Sequence, residues 1–245
     1  MSEIFVIGKT DIGKTRDENQ DRYRVSMIGD DSSFAVVCDG MGGANSGGLA
    51  ADIASDIVYE RLNLSYRPDM EPKSIKSLLT SAFYAANSVV HRRSREEPEN
   101  SGMGTTCVAA IVADGLAHIA SVGDSRAYIL DESGIRQITN DHTVVEYLHS
   151  KGMINEEEMK THRMKNLITR AIGIDENLDV DYFEVDISQS SILLICTDGL
   201  TNYCSDELIY SMVYKHPLEQ ATGELIDYAN ARGGKDNITV VLISA

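Results

Sequence analysis

Apolar residues along this chain fall into short runs of strand length, separated by polar turns. Runs rich in Val, Ile, Tyr and Thr cover Glu3–Ile7, Tyr23–Ile28, Ser33–Cys38, Thr105–Val112, Leu116–Val122, Arg126–Asp131, Tyr182–Val185, Ser191–Cys196 and Asn237–Ser244, several of them bounded by Gly or Asp. Between the third and fourth runs the period changes. Ala50, Ile53, Ala54, Ile57 and Val58 lie at i, i+3, i+4, i+7 and i+8, and Ile75, Leu78, Leu79, Ala82 and Phe83 repeat that spacing with Pro72 near the start. Each set predicts a helix that buries one stripe. A second pair is expected near the end of the chain, one helix capped by Ser205 over Asp206–Lys215 and another through Glu219–Arg232. Strand runs followed by paired helices predict an α+β sandwich rather than strict βαβ alternation.

The stretch Thr143–Leu167 fits neither period. It has mixed charge, with Glu156-Glu157-Glu158 and His162-Arg163-Met164-Lys165, and reads equally as a mobile surface flap at about 143–168 or as a solvated helix–loop. No repeat, low-complexity tract or Pro/Gly/Ser linker divides the chain, so a single domain over residues 1–245 is expected.

Composition narrows the class. A chain of 245 residues with 42% hydrophobic and 24% charged residues is neither disordered nor fibrous. Its 22 Lys+Arg against 38 Asp+Glu give a net charge of −16, which argues against nucleic acid or an anionic membrane as a broad partner. The longest purely apolar run, Ile192–Cys196, is far below the ~20 residues of a membrane span, and the N-terminus lacks a signal-peptide stretch. Cys38, Cys107, Cys196 and Cys204 form no CxxC pair, and the first three sit in apolar runs; buried reduced thiols in a cytoplasmic protein are expected. Arg92, Arg93 and Arg95 form the compact basic patch, read as complementing the dipole at the end of the second helix in preference to docking an acidic partner.

The acidic residues are not scattered evenly. Ser33–Cys38 runs into Asp39-Gly40, Ser191–Cys196 runs through Thr197 into Asp198-Gly199, and Asp124 sits at a hairpin tip after Val122-Gly123. Asp21 and Asp236 precede two further strands. In an antiparallel sheet the start of one strand lies beside the end of its neighbour, so all of these could gather at one end of the sheets. Asp-Gly is a common turn signal on its own. Five such placements together favour a metal site, with oxygen ligands suited to Mg²⁺ or Mn²⁺ rather than Zn²⁺. No histidine shows HxH or HExxH spacing; His142, in Asn140-Asp141-His142, reads as structural ahead of catalytic.

One motif competes. Gly8–Thr15 (GKTDIGKT) fits the phosphate-binding pattern GxxxxGK[ST] after a strand, which would indicate a nucleoside-triphosphate hydrolase. That mechanism needs a helix starting at Lys14 to present amides to phosphate. Arg16–Asp21 offers no apolar position before Tyr23, so no amphipathic helix is expected there.

Laid out in order, Thr10–Asp21 (TDIGKTRDENQD), Asp39-Gly-Met-Gly-Gly43, Ser101–Thr106 (SGMGTT), Val122–Arg126 (VGDSR), Asp141-His-Thr143, Thr169–Gly173 (TRAIG), Thr197–Leu200 (TDGL) and Gly234–Thr239 (GKDNIT) span nearly the whole length. This ordered set resembles the metal-dependent (type 2C, PPM) Ser/Thr protein phosphatases, in particular their compact bacterial branch. The resemblance implies a four-layer α-β-β-α sandwich of two antiparallel sheets flanked by helix pairs. It also implies direct hydrolysis of phosphoserine and phosphothreonine in proteins by metal-activated water at a binuclear or trinuclear Mn²⁺/Mg²⁺ site. Asp39 would bridge two ions, the Gly40 carbonyl would bind one, and Asp198 and Asp236 would complete the pair. Asp124 with Asp198 would hold a third ion, Asp21 would orient the water, and Arg16 would clamp the substrate phosphate. Two bound divalent ions would bring the net charge from −16 to −12, with flap residues Arg163 and Lys165 adding local attraction. The implied partners are phosphorylated proteins, among them a Ser/Thr kinase and its substrates; a cytoplasmic monomer is expected.

Departures from the family pattern lie beside the ligands. Ala44 and Met41 stand where relatives carry a histidine, which favours water over imidazole as the proton donor. Gly48 and Gln20 each replace a frequent Glu. A catalytically silent phosphoprotein-binding module is the alternative of another class, separable by metal-dependent turnover.

Overall fold

Residues along the third strand alternate between two buried environments, and that alternation explains why its sequence is almost continuously apolar. In the computed structural model, which describes residues 4–29, 31–42, 46–187 and 190–244, β3 (Ser32–Met41) points Phe34, Val36 and Cys38 toward helices and Ala35 and Val37 toward a facing sheet. The same holds for β10 (Ile192–Cys196), with Leu193 and Ile195 on one side and Leu194 and Cys196 on the other. Strands covered on both faces lose the in/out polar alternation of a half-exposed sheet.

One sheet has the order β1 (Phe5–Asp11), β11 (Ile238–Ser244), β10, β7 (Arg126–Asp131), β8 (Gly134–Gln137). The other runs β2 (Asp21–Ile28), β3, β5 (Cys107–Ala113), β6 (Leu116–Val122), β9 (Asp181–Asp186), with β4 (Gly104–Thr105) pairing the end of β3. All ladders are antiparallel. A middle core fills the space between the sheets, an outer core lies under α1 (Ser46–Ser65) and α2 (Pro72–Glu96), and a third lies under α6 (Asp206–Val213) and α7 (Leu218–Ala231). This is the four-layer α-β-β-α sandwich expected from the sequence. Ser205 caps α6 by accepting from the Leu208 N–H, as expected.

Several boundaries differ, each for a physical reason. The first strand starts at Phe5 and continues to Asp11, because its pairing with β11 runs the full length; Glu3 lies outside the described residues. β3 does not stop at Cys38: it carries Asp39 within the strand and ends at Met41, held there by β4. The expected run Thr105–Val112 is split at Thr106, whose backbone turns to bond Asp39. α1 begins at Ser46, four residues before its apolar stripe, because Gly47 packs on Gly40 so tightly that a Cβ on Gly40 would collide with the Gly47 carbonyl. Glycine reads as a helix breaker in sequence, and here close packing overrides propensity. β8 and the short α5 (Asp198–Thr201) were not expected. The 143–168 stretch contains two short helices, α3 (Val144–Ser150), capped by Thr143, and α4 (Glu156–Thr161), closed by an Asn155/Glu158 capping box. All four cysteines are buried and free. No helix among the described residues is long and apolar enough to cross a membrane.

Candidate active site

The two sheets bring their aspartates to one end of the sandwich. Asp21 and Asp39 are direct cross-strand partners in the β2–β3 ladder. Asp198 opens α5 immediately after β10, Asp236 precedes β11, and Asp124 lies in the β6–β7 turn. A pocket of about 490 Å³ is lined by Asp39, Gly40, Asp124, Asp198, Asp236 and Arg16. Asp21 lies beneath it, fully buried.

Neutral groups hold the acids in place. Thr197 and Thr239 hydroxyls donate to Asp21 Oδ2 at 2.9 and 2.7 Å, tying β2 of one sheet to the ends of β10 and β11 in the other. The Asp39 N–H donates to Thr106 Oγ1 at 3.0 Å, and its carbonyl accepts from the Thr106 N–H and the Thr105 hydroxyl, both at 2.9 Å. Asn202 donates to Asp198 Oδ2 at 3.0 Å. Asn237 staples the loop before β2: its Nδ2 donates to the carbonyls of Ile12 and Glu18, and its Oδ1 accepts from the Gln20 N–H. Thr106, Thr197, Thr239 and Asn237 were missed as site residues. Thr197 and Asn237 adjoin motif aspartates and Thr106 and Thr239 lie inside the motifs SGMGTT and GKDNIT, which was the only signal they carried.

The carboxylates strain against one another. Burial pushes Asp21 up to about 7, with Asp198 and Asp236 adding and the two threonine hydrogen bonds opposing. Burial together with the four neighbouring aspartates holds Asp39 well above the usual carboxylate range. Asp124 is pushed up to about 7 and Asp198 to about 6, in both cases by burial first and a neighbouring acid second. Asp21 Oδ1 and Asp124 Oδ1 are buried with no hydrogen-bond partner among the described residues.

These observations fit a hard divalent cation. The donors are all oxygens, the clustered acids outnumber the cations beside them, and buried carboxylate oxygens are left over. Among the described residues no three His, Cys, Asp or Glu side chains converge closely enough to hold one ion by themselves. Each ion would therefore take one or two carboxylates and complete its shell with water or the Gly40 carbonyl, the habit of Mg²⁺.

Arg16 lies at the pocket rim, its Nη2 donating to Asp236 Oδ2 at 2.7 Å and its Nε to the Lys235 carbonyl at 3.3 Å. Lys165 does not reach this pocket; it lines a neighbouring cavity of about 710 Å³ shared with Asp124 and Asp198, and Arg163 lines neither. The Asn166–Ala171 segment, which follows the two short helices, forms one wall. His142 is structural: buried, it accepts from the Gly123 N–H at Nδ1 (3.0 Å) and faces Asp181 through Nε2 (3.1 Å). Met41 lines the pocket, and no histidine does; Gly43 and Ala44 lie outside the described residues. Gly48 stands beside Gln20 and Glu18, so the two departures from the family pattern are neighbours in space.

The phosphate-loop reading fails here. Gly13 takes φ +84°, Lys14 donates its N–H to the Gly234 carbonyl at 2.7 Å, and no helix follows before β2.

A four-layer α-β-β-α sandwich with an oxygen-lined acidic pocket at the seam of its sheets suits a metal-dependent phosphohydrolase. The family described as protein phosphatase 2C matches residues 11–242. The serine/threonine phosphatase stp of Listeria monocytogenes is 36% identical over 239 residues, covering 96% of this chain and 93% of that protein. The crystal structure of serine/threonine phosphatase Stp1 from Staphylococcus aureus superposes with a TM-score of 0.93 at 33% identity, over 100% of this chain and 96% of the other. The catalytic domain of the phosphatase PstP, solved in complex with two manganese ions, gives 0.84 at 27% identity, over 99% and 98%. The chain belongs to the protein phosphatase 2C family. It is a protein serine/threonine phosphatase.

Proposed function

We propose that this enzyme hydrolyses phosphoserine and phosphothreonine by direct attack of water at a centre of two Mn²⁺ or Mg²⁺ ions, with room for a third, and that it opposes a Ser/Thr kinase in the cytoplasm as a monomer. The observation that carries the reading is the gathering of Asp39, Asp124, Asp198 and Asp236 around one pocket, with Asp21 buried opposite Asp39, an excess of negative charge that Arg16 answers only in part. Asp39, the Gly40 carbonyl, Asp198 and Asp236 would hold the pair. Asp124 with Asp198 would hold the third ion. PstP, bound to two manganese ions, supports the choice of metal. Bound divalent ions would neutralise these carboxylates, draw the phosphate in and lower the pKa of water.

The chain's own groups then have separable tasks. Asp21, fixed through Oδ2, leaves Oδ1 to accept a proton-bearing neighbour and so orient the attacking water. Arg16 presents a planar donor fork to the phosphate oxygens once its bond to Asp236 is exchanged for substrate. The 143–168 stretch acts as a flap at the pocket edge of a single domain. With no histidine on the pocket wall among the described residues, the leaving oxygen takes its proton from solvent.

The test is turnover of a phosphothreonine peptide and of p-nitrophenyl phosphate with Mn²⁺, before and after exhaustive EDTA treatment. Metal-dependent release of phosphate is expected; undiminished activity after metal removal would refute the mechanism.

A further inference from the structure

α2 ends beside the active-site pocket with a polar face. Tyr84, Asn87, Ser88, His91, Ser94 and Arg95 recur at i, i+3, i+4, i+7, i+10 and i+11, so they share one side of the helix. That side is fixed against the loop after Ile172: Asn87 Nδ2 donates to the carbonyls of Asp175 (2.9 Å) and Glu176 (3.2 Å), and its Oδ1 accepts from the Gly173 N–H at 2.7 Å. Ser94 Oγ accepts from the Gly102 N–H at 3.0 Å and fixes the other bank.

Between these banks lies a groove of about 720 Å³, lined by His91, Ser94, Arg95, Pro98 and Ile174 among others. Ile174, 42% exposed, also lines the carboxylate pocket, so groove and pocket meet at this side chain. Beyond His91 the groove continues into a second of about 540 Å³ that includes Arg92 and one acid, Glu176.

Charge sets the groove apart. On a chain of net charge −16, no carboxylate lines the first groove. Arg93 pairs with Glu97 at 2.9 Å, whereas the exposed Arg92 and Arg95 have no ion pair or hydrogen bond among the described residues. Arg93 and Arg95 both stand in the last turn, where they favour the helix dipole, but only Arg93 has its charge answered by a neighbour. Glu96 and Glu99 flank the segment without lining the groove.

We propose that this groove receives the acidic flank of the phosphoprotein substrate: an Asp or Glu near the phosphoresidue pairs with Arg95, while the intervening residue lies on Ile174 and the phosphate occupies the carboxylate pocket. This rests on the phosphatase reading and specifies its substrate class. Long-range attraction of acidic proteins is absent at this net charge, so selectivity comes from this local contact.

Two phosphothreonine peptides that differ only in Glu against Gln at the flanking positions separate the outcomes. With Mn²⁺, the wild type should show a KM about three- to fivefold lower for the Glu peptide, the scale of one exposed ion pair. Arg95→Gln should abolish the difference, Arg95→Lys should keep most of it, and neither should alter p-nitrophenyl phosphate turnover. The same peptides, fluorescein-labelled and titrated by anisotropy in EDTA, report docking without turnover. Equal KM and equal binding for both peptides, or a preference that survives in Arg95→Gln, overturns the proposal. Failure to hydrolyse p-nitrophenyl phosphate counts against the phosphatase reading alone, because the anisotropy comparison still decides the groove.

Discussion

Asp21 and Asp39 stand directly opposite each other across the β2–β3 ladder, two acids where a sheet would ordinarily place a neutral or opposite-charge pair. Like charges in that position destabilise. Asp39→Asn should therefore raise the melting temperature of the metal-free protein while removing most of the stabilisation that Mn²⁺ confers on the wild type. Turnover should fall by about a thousandfold, the scale of several kcal/mol of lost metal assistance. Calorimetric melts with EDTA and with Mn²⁺, alongside kcat, check all three; a variant with near-normal turnover would contradict a metal-holding role for Asp39.

Thr239 donates to Asp21 Oδ2 and shares a 2.7 Å hydrogen bond with Thr10. Thr239→Val keeps the shape and removes the donor. It should cost about 1–3 kcal/mol, the penalty for leaving buried polar partners unsatisfied. Urea denaturation measures this, and a change below about 0.5 kcal/mol would show the network to be dispensable.

Gly13 has φ +84°, and a Cβ there would strike the Asp236 carbonyl. Gly13→Ala should lose about 1–2 kcal/mol through left-handed strain and displace Asp236, weakening Mn²⁺ binding in titration calorimetry. Lys14→Ala should bind Mn²⁺ and turn over normally. A large loss of activity in Lys14→Ala would revive a phosphate-loop role.

Burial lowers the His142 pKa below 6.5, with the Arg170 charge acting in the same direction and Asp181 opposing. Below about pH 6.5 the unfolded chain takes up a proton at this position that the folded chain resists, so this residue's contribution to stability is lost as pH falls. The site aspartates act oppositely: their folded pKa values are raised, so they add stability as pH falls from 7 toward 4. The readout is the difference between proteins. Wild type should lose more stability than His142→Gln between pH 7.5 and 5 in EDTA, and parallel curves would disprove the assignment.

Strands buried on both faces, such as Ser33–Cys38 and Ser191–Cys196, were legible because continuous apolar runs leave few alternatives, and the α2 stripe was legible because a 25-residue helix repeats its period many times. The start of α1 was not. Ser46-Gly47-Gly48 carries no apolar signal, and its helix exists because Gly40 and Gly47 approach more closely than side chains allow. The 143–168 stretch was ambiguous for a related reason: its two helices bury little, so local caps rather than hydrophobic period define them.

The sequence by itself determined the chemistry available: which aspartates end or begin strands, that their donors are oxygens, and that the ordered motifs are those of a type 2C phosphatase. Tertiary structure decided what those residues do to one another. Pairing of β2 with β3 set Asp21 against Asp39, the threonines of the opposite sheet reached across to hold Asp21, and Arg16 was drawn onto Asp236. These are contacts between residues up to 220 positions apart in the chain. Local pattern cannot encode them, because the register of a ladder and the packing of two sheets are fixed only when all three cores close together.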